Sequence, residues 1–445
     1  MHQGRLPSPY VPNTDGDRQA MLEAIGVKSA EELFADIPDG YRSPSLDLPY
    51  PLSELELRRE LQELSELNWT PGRVSSFLGG GAYNHYIPAV INHIISRGEM
   101  ATAYTPYQPE VSQGTLQSIY EFQSLVSQLM GMEVANAGMY DGATALAEAA
   151  LMACRVTGRM RIAVLDTVSP AYMSVMKTYT EPQGISMYMT NASDPLVNDE
   201  SACIVVQHPN FYGYLEELES LASIAHEKNA LLVVSTDAVF LGMFQPPGSI
   251  GADIAVAEGQ SLGVSLSYGG PYVGLFTCGK RFLRQMPGRI VGKTTDTQGR
   301  DGYVLTLQTR EQHIRRERAT SNICTSEALI GTAVVAYLAC MGRVGLRHVA
   351  ELTYHKAHYA SSLIEQIPGY SLPIKGTFFQ EFVVQCPIDP SEINRRLLEF
   401  GIIGGLDISS QIPNGMLLCV TEMNTRQEIE NLTQALSNIA NVSAV

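Results

Sequence analysis

Between residues 69 and 325 the chain alternates strand-length apolar runs with helical segments, and this alternation most narrows the folds open to it. The runs are 161–165, 185–189, 202–206, 231–235, 253–257 and 272–277. Several, such as Leu231-Leu232-Val233-Val234, lack the polar alternation of a half-exposed strand and imply burial on both faces. Helical stripes separate some of them: 114–130, the alanine-rich 143–156, and 215–228. Buried strands and helices in alternation predict an α/β fold with a mainly parallel sheet. Residues 1–68 read as an N-terminal arm of short helices, with Asp15 or Asp17 capping the first, Ser29 opening a second and Pro38 ending it. A third stripe, 52–67, completes the arm. Residues 326–445 open with a long helix from 327 to 341. Strands near 381–385 and 416–421 and helices near 391–400 and 425–439 then suit a small α+β domain.

One absence stands out within the large domain. No lysine occurs between Lys228 and Lys280. Two strands here end in acids, Asp237 and Glu258, and a glycine turn follows at Tyr268-Gly269-Gly270-Pro271. That layout suits a pyridoxal-phosphate enzyme, which needs a lysine shortly before such a turn to form its Schiff base. The stretch Gly259-Gln260-Ser261-Leu262-Gly263-Val264-Ser265-Leu266-Ser267 offers none. Asp237 suits either a pyridine-nitrogen partner or a strand-end acid satisfied by loop N–H groups. Asp141, before the alanine-rich helix, reads as its cap, because an acid there disfavours a bound anion.

Other features exclude functions. A net charge of −16 argues against nucleic-acid and anionic-membrane partners. The seven cysteines are widely spaced, without Cys-x-x-Cys or a zinc-spaced His pair, so neither a disulfide framework nor a metal is expected. The opening residues read as lacking an apolar leader, and no stretch is expected to approach the ~18 apolar residues of a membrane span, so the expected location is cytoplasmic. The run Gly288-Arg289-Ile290-Val291-Gly292-Lys293-Thr294 has three residues, not four, before its Gly-Lys pair and fails as a phosphate loop. Polar sequence follows it, which reads as loop.

Two segments concentrate polar chemistry. Residues 103–114 pack Tyr104, Tyr107, Gln108, Glu110, Ser112 and Gln113 into a proline-stiffened loop suited to a small polar ligand. Residues 309–325 run from an arginine-rich stretch into Ala319-Thr320-Ser321-Asn322-Ile323-Cys324-Thr325, which suits phosphate or carboxylate.

These segments, YTPYQPEVSQGTLQ from Tyr104 and LQTREQHIRRERATSNICT from Leu307, resemble the glycine cleavage system P-protein family. Phe77-Leu78-Gly79-Gly80-Gly81-Ala82-Tyr83-Asn84-His85-Tyr86, Pro287-Gly288-Arg289-Ile290-Val291-Gly292 and the Ile37-Pro38 arm are similar to further family stretches. The resemblance implies a fold-type I pyridoxal-phosphate transferase-like fold, with a seven-stranded sheet in the large domain. It implies an enzyme that decarboxylates glycine and passes the aminomethyl group to the lipoyl arm of H-protein, in one system with the T- and L-proteins. Length and the missing lysine match the first of two subunits, so the cofactor would be held covalently by a second, lysine-bearing subunit, in a tetramer with two of each. It further implies that Tyr104, Tyr107, Gln108 and Glu110, with Asn84 and His85 beside them, serve catalysis in a shared cleft. Thr320, Ser321, Asn322 and Thr325, with Ser112 and Gln113, would meet the partner's cofactor. Two alternatives are a self-sufficient enzyme using a displaced Lys280 or Lys293, and a non-catalytic scaffold.

Overall fold

The computed structural model describes residues 10–42 and 47–443, and the chain divides into two units, Met1–Trp69 and Thr70–Val445. In the first, α1 (Asp15–Ile25) is capped by Thr14, whose hydroxyl accepts from Asp17 N while Asp17 reaches back to Thr14 N. The expected Asp15 or Asp17 cap is therefore corrected: Thr14 and Asp17 form a capping box, in which the acid is the third helical residue. The segment after Ser29 closes only a 3-10 helix, Ala30–Phe34. Then α2 (Glu54–Glu66) follows a second capping box, Ser53 with Glu56. Neither α-helix buries a side chain.

The second unit is built on a seven-stranded sheet. Its strands are β1 (Val134–Ala135), β2 (Arg161–Leu165), β3 (Ser186–Thr190), β4 (Ser201–His208), β5 (Leu231–Asp237), β6 (Ile254–Glu258) and β7 (Gly274–Cys278). The order is β1-β7-β6-β5-β4-β2-β3, with only β1 and β7 antiparallel to their neighbours. The mainly parallel sheet expected from the apolar runs is present. Helices α3 (Gln113–Met130), α4 (Gly142–Thr157), α5 (Pro170–Thr180) and α6 (Leu218–Glu227) alternate with the strands. Asp141 caps α4 as expected, accepting from Thr144 N at 2.7 Å. A hairpin, β8 (Ile290–Thr295) and β9 (Asp301–Thr306), takes in the 288–294 run, and its second strand lies in the polar sequence read as loop after Thr294. Its outer face carries lysine and threonine, which is why its sequence lacks a strand's apolar signal.

Next comes α7 (Ala328–Ile364), which passes the length and hydropathy test for a membrane span and so corrects the expectation that no stretch comes near it. Gly342 breaks its backbone at φ 58°, and Arg343 and Arg347 follow the break. The unbroken apolar part, 328–341, is about 21 Å long at 1.5 Å per residue, short of a ~30 Å hydrocarbon core. Ile330, Ala333, Val334 and Tyr337 are instead buried against Phe122, Phe240 and Leu262. Last, β10 (Glu381–Gln385), β11 (Leu406–Asp407) and β12 (Gly415–Cys419) form an antiparallel sheet ordered β10-β12-β11. With α8 (Pro390–Glu399) and α9 (Arg426–Ser443) it encloses an apolar core around Phe382, Leu397, Leu418 and Leu432.

Candidate functional site

Ligands of open parallel sheets bind outside the carboxyl ends of the strands. Here β4, β5 and β6 end at a recess lined by Gln207, Asp237, Glu258 and, from the far side, Tyr83 and Glu381. Its contents are acidic and its room is small, about 50 Å³ against the 300–1,000 Å³ of ordinary ligand pockets.

Three carboxylates occupy it. Asp237 Oδ1 accepts from Val239 N and Phe240 N, both at 2.8 Å, and Oδ2 accepts from Gln380 Nε2 at 3.1 Å. It is thus the strand-end acid satisfied by its loop. Glu258 accepts from Gly142 N at 2.8 Å, Gln260 N at 2.9 Å and Val273 N at 3.2 Å. Glu381 accepts from Gly80 N at 2.6 Å and Tyr83 Oη at 2.7 Å. Burial pushes Glu258 and Glu381 up to about 7, against those hydrogen bonds, and raises Asp237 as well.

The recess does not fit pyridoxal phosphate. Gly142 opens α4, where free N–H groups would cradle a phosphate, yet the Glu258 carboxylate already sits there. A Cβ added at Gly142 would stand 2.6 Å from Tyr172 Oη and 2.9 Å from Glu258 N, so the seat is sealed. No lysine lines the recess. Lys280 follows β7, whose end pairs with Ile254 at the opposite end of β6 from Glu258, about 13 Å away at ~3.3 Å per residue. Lys293 lies exposed on the hairpin, 2.8 Å from Asp301. A displaced lysine therefore has no route to the strand ends.

The polar segments converge instead on Arg289, buried at 5% exposure at the start of the hairpin. Its Nη1 donates to Thr325 Oγ1 at 2.9 Å and Thr105 Oγ1 at 3.3 Å. Its Nη2 donates to Cys324 O at 2.8 Å and Tyr107 Oη at 3.1 Å, and Nε to Glu311 at 3.3 Å. One planar fork thus ties the 104–112 loop to the 320–325 segment. The sequence gives Arg289 no role beyond its place in a family stretch and in the 288–294 run. Its signal was a lone arginine in the glycine-rich stretch where the phosphate-loop spacing fails.

The expected site residues distribute around this fork. Tyr104, Gln108 and Glu110 project outward, Tyr104 at 80% exposure. Tyr107 lies under the guanidinium, 5.3 Å from centroid to Cζ. Ser112 precedes α3 without a side-chain cap bond. Gln113 is engaged by the fold: its amide donates to Tyr303 O and Pro109 O and accepts from Tyr303 N. Ser321 is also committed, donating to Glu148 at 2.6 Å and accepting from Ile323 N. Thr320 Oγ1 makes no hydrogen bond among the described residues, and Asn322 is exposed beside it. Arg284, Arg315 and Arg318 join Thr320 around a depression of about 310 Å³.

Asn84 and His85 make their contacts elsewhere. Asn84 O accepts from Thr421 Oγ1, and buried His85 Nδ1 meets Glu422 at 2.7 Å, with Thr353 Oγ1 on the same carboxylate. Burial would lower His85, but Glu422 raises it overall; Glu422, which burial would raise, is held low by His85. This is an ion pair joining the 79–86 stretch to the C-terminal part.

The profile of the glycine cleavage system P-protein family matches residues 8–436. The chain belongs to that family. A probable glycine dehydrogenase (decarboxylating) subunit 1 from Thermomicrobium roseum is 52% identical over 441 residues, covering 96% of this chain and 98% of its own. The crystal structure of an inhibitor-bound glycine decarboxylase (P-protein) superposes with a TM-score of 0.93 at 42% identity, over 97% of this chain and all of that one. A C-DES mutant with glycine covalently linked to its PLP cofactor shares the fold at TM-score 0.59 and 14% identity, over 83% of this chain and 98% of that one. The fold is thus fold-type I of PLP-dependent enzymes.

Proposed function

We propose that the chain is the lysine-free subunit of a two-part glycine dehydrogenase (decarboxylating). With a second, lysine-bearing subunit it releases the glycine carboxyl as carbon dioxide and passes the aminomethyl group to the lipoyl arm of H-protein; the T- and L-proteins act next. The observations that support this reading are a strand-end recess without lysine, its phosphate seat taken by Glu258, and a polar loop held on Arg289 from which Tyr104, Gln108 and Glu110 project outward. Pyridoxal phosphate, which delocalises the electron pair left by decarboxylation, would be held by the partner. This chain would supply Tyr104, Tyr107, Gln108 and Glu110 as a wall of the shared cleft. Of the hydroxyls proposed to meet the cofactor phosphate, Thr320 is best placed. Its oxygen is uncommitted and four arginines, Arg284, Arg310, Arg315 and Arg318, line the same depression, whereas Thr325 is held by Arg289 and Ser321 by Glu148.

We read the chain as an arm (1–68), a large domain (69–325) and a small domain (326–445), supported for the last by its own sheet and core. Seven free cysteines, five of them buried, fit a reducing cytoplasm. The test is co-expression with the second subunit. Release of label from carboxyl-labelled glycine should require both chains, and Thr320→Ala should weaken pyridoxal phosphate retention about tenfold. Full activity from either chain alone refutes the division of labour; unchanged retention refutes the Thr320 assignment.

A further inference from the structure

One edge of the seven-stranded sheet is open. β3 pairs with β2 alone, in parallel, and no strand among the described residues pairs with its other side. Ser186 N donates to Met160 O, and Thr190 O accepts from Asp166 N. Ser186, Tyr188 and Thr190 therefore spend their backbone groups on β2, and the alternate residues, Met187 and Met189, turn theirs outward. Native edges are normally blunted by lysine, proline or a bulge. Residues 186–190 hold neither lysine nor proline, and their register with β2 runs without a bulge. Beside the edge lies a groove of about 350 Å³, lined by Met187 and Met189 and by Met173 and Lys177 of α5.

The edge matches itself. Ser186-Met187-Tyr188-Met189-Thr190 reads nearly the same in both directions. Turned about a two-fold axis at Tyr188, it sets Met187 opposite the second copy's Met189, each such pair exchanging both N–H···O=C bonds. A slip of one residue sets outward groups against inward ones. A slip of two calls on Ile185 N or Asn191 O, which are already bonded to Thr180 O and Asp194 N. We propose that the β3 edge is a docking surface for a second copy of this chain, the two strands pairing antiparallel about Tyr188. This does not depend on the division of labour proposed above. The crossover helix α5 joins β2 to β3 and packs over that pair, so the two α5 axes lie on the order of 10 Å apart, near the 8–10 Å of packed helices. Methionines on both sides of the contact adapt to one another's shape. Chains of net charge −16 repel in general, but the charges lining the groove, Lys177 and Glu181, pair with each other at 3.4 Å.

The test is sedimentation of the full-length chain. Its mass should move from one chain toward two between about 1 and 100 μM, the range of a modest contact. Met187→Pro removes an outward N–H while the bonds from Ser186, Tyr188 and Thr190 to β2 stay in place, so it should weaken pairing at least about tenfold. Tyr188→Cys reads the register. Facing residues that share no hydrogen bond have Cα atoms ~4.5 Å apart, within disulfide range, so mild oxidation should give a peptide joined through residue 188 of both copies, read by mass spectrometry. A chain that stays single at the highest concentration overturns the proposal, and this outcome needs no variant to fold. So does self-association that Met187→Pro leaves unchanged, or a Tyr188→Cys dimer without the joined peptide. If Met187→Pro instead blocks assembly with the second subunit and spares self-association, the edge serves that subunit and the proposal fails.

Discussion

Arg289→Met removes the fork that joins the two polar segments while keeping most of the side chain's volume. Five hydrogen bonds go with it, together with the cation–π contact to Tyr107. The largest consequence falls on Glu311, which is nearly as buried as Arg289 and whose Oε1 already lacks a partner. Breaking a buried ion pair from one side costs about 3–5 kcal/mol, and with His313 Nδ1 still 3.5 Å from the Glu311 carboxylate the loss here should fall at the lower end. The segments held are loops, so much of that cost should be shed by their local opening rather than by global unfolding. At ~1.4 kcal/mol per factor of ten, 3 kcal/mol corresponds to about a hundredfold increase in local opening. Hydrogen–deuterium exchange read by mass spectrometry over 104–112 and 307–325 is the direct assay, since Cys324 N donates to Tyr140 Oη only while its segment stays docked. Turnover of the two-subunit enzyme should fall about a hundredfold, the scale of a 1 Å misplacement in a catalytic wall. Arg289→Lys, which keeps charge but not the planar fork, should fall between wild type and Met. Adding Glu311→Gln to Arg289→Met should recover at least about 1 kcal/mol, the coupling expected of touching groups. Unchanged exchange in both segments would refute the clamp, and a double variant as poor as the single would refute the charge argument.

Other outcomes follow from the same contacts. Glu258 and Glu381 are raised from the usual 4.5 to about 7, so the folded protein holds more protons than the unfolded chain between those values. Stability should therefore be greatest below about pH 4.5 as far as these groups are concerned, fall as pH rises through 7, and level off beyond it. Each contributes at most roughly 3 kcal/mol, and Glu258→Gln or Glu381→Gln should flatten the fall in denaturant midpoints measured from pH 5 to 8. Gly213 has φ 92°, and a Cβ there would lie 1.9 Å from Glu381 O. Gly213→Ala should cost more than about 4 kcal/mol, read as lost soluble yield; a normal melting curve would contradict the packing. His85→Phe strands the Glu422 carboxylate and should cost about 3 kcal/mol by chemical denaturation, partly restored by Glu422→Gln.

The sequence announced what repeats and hid what is met across distance. β4, β5 and β6 are legible because both their faces are covered, leaving uninterrupted apolar runs. β1 is two residues long, and the β8–β9 hairpin buries only Ile290, Val291 and Leu305 among polar and half-buried residues, so neither leaves a period to detect. Loops 104–113 and 319–325 were conspicuous through their density of polar side chains. That they meet on Arg289 is a tertiary fact, joining positions up to 184 residues apart. The plugged recess was equally invisible, since Glu258 reads as one more strand-end acid until Gly142, 116 residues earlier, is found bound to it.

The plug also changes what the lysine gap means. Were the lysine the sole loss, replacing it would restore a cofactor site. Ser261 lines the recess at the approach to the glycine turn, so Ser261→Lys puts an amine within it. That amine would meet Asp237, Glu258 and Glu381 first, and a buried ammonium beside buried carboxylates stays charged and paired rather than becoming a free nucleophile. The cofactor phosphate would find its seat at Gly142 taken by Glu258. Ser261→Lys alone should therefore give no borohydride-fixed pyridoxal phosphate adduct by mass spectrometry. An adduct in the single variant would refute this account, leaving the lysine as the whole difference between this chain and a self-sufficient enzyme. Its absence, with adduct formation once Glu258→Ala is added, would show that the charge in the recess, as much as the missing lysine, commits this subunit to a partner's cofactor.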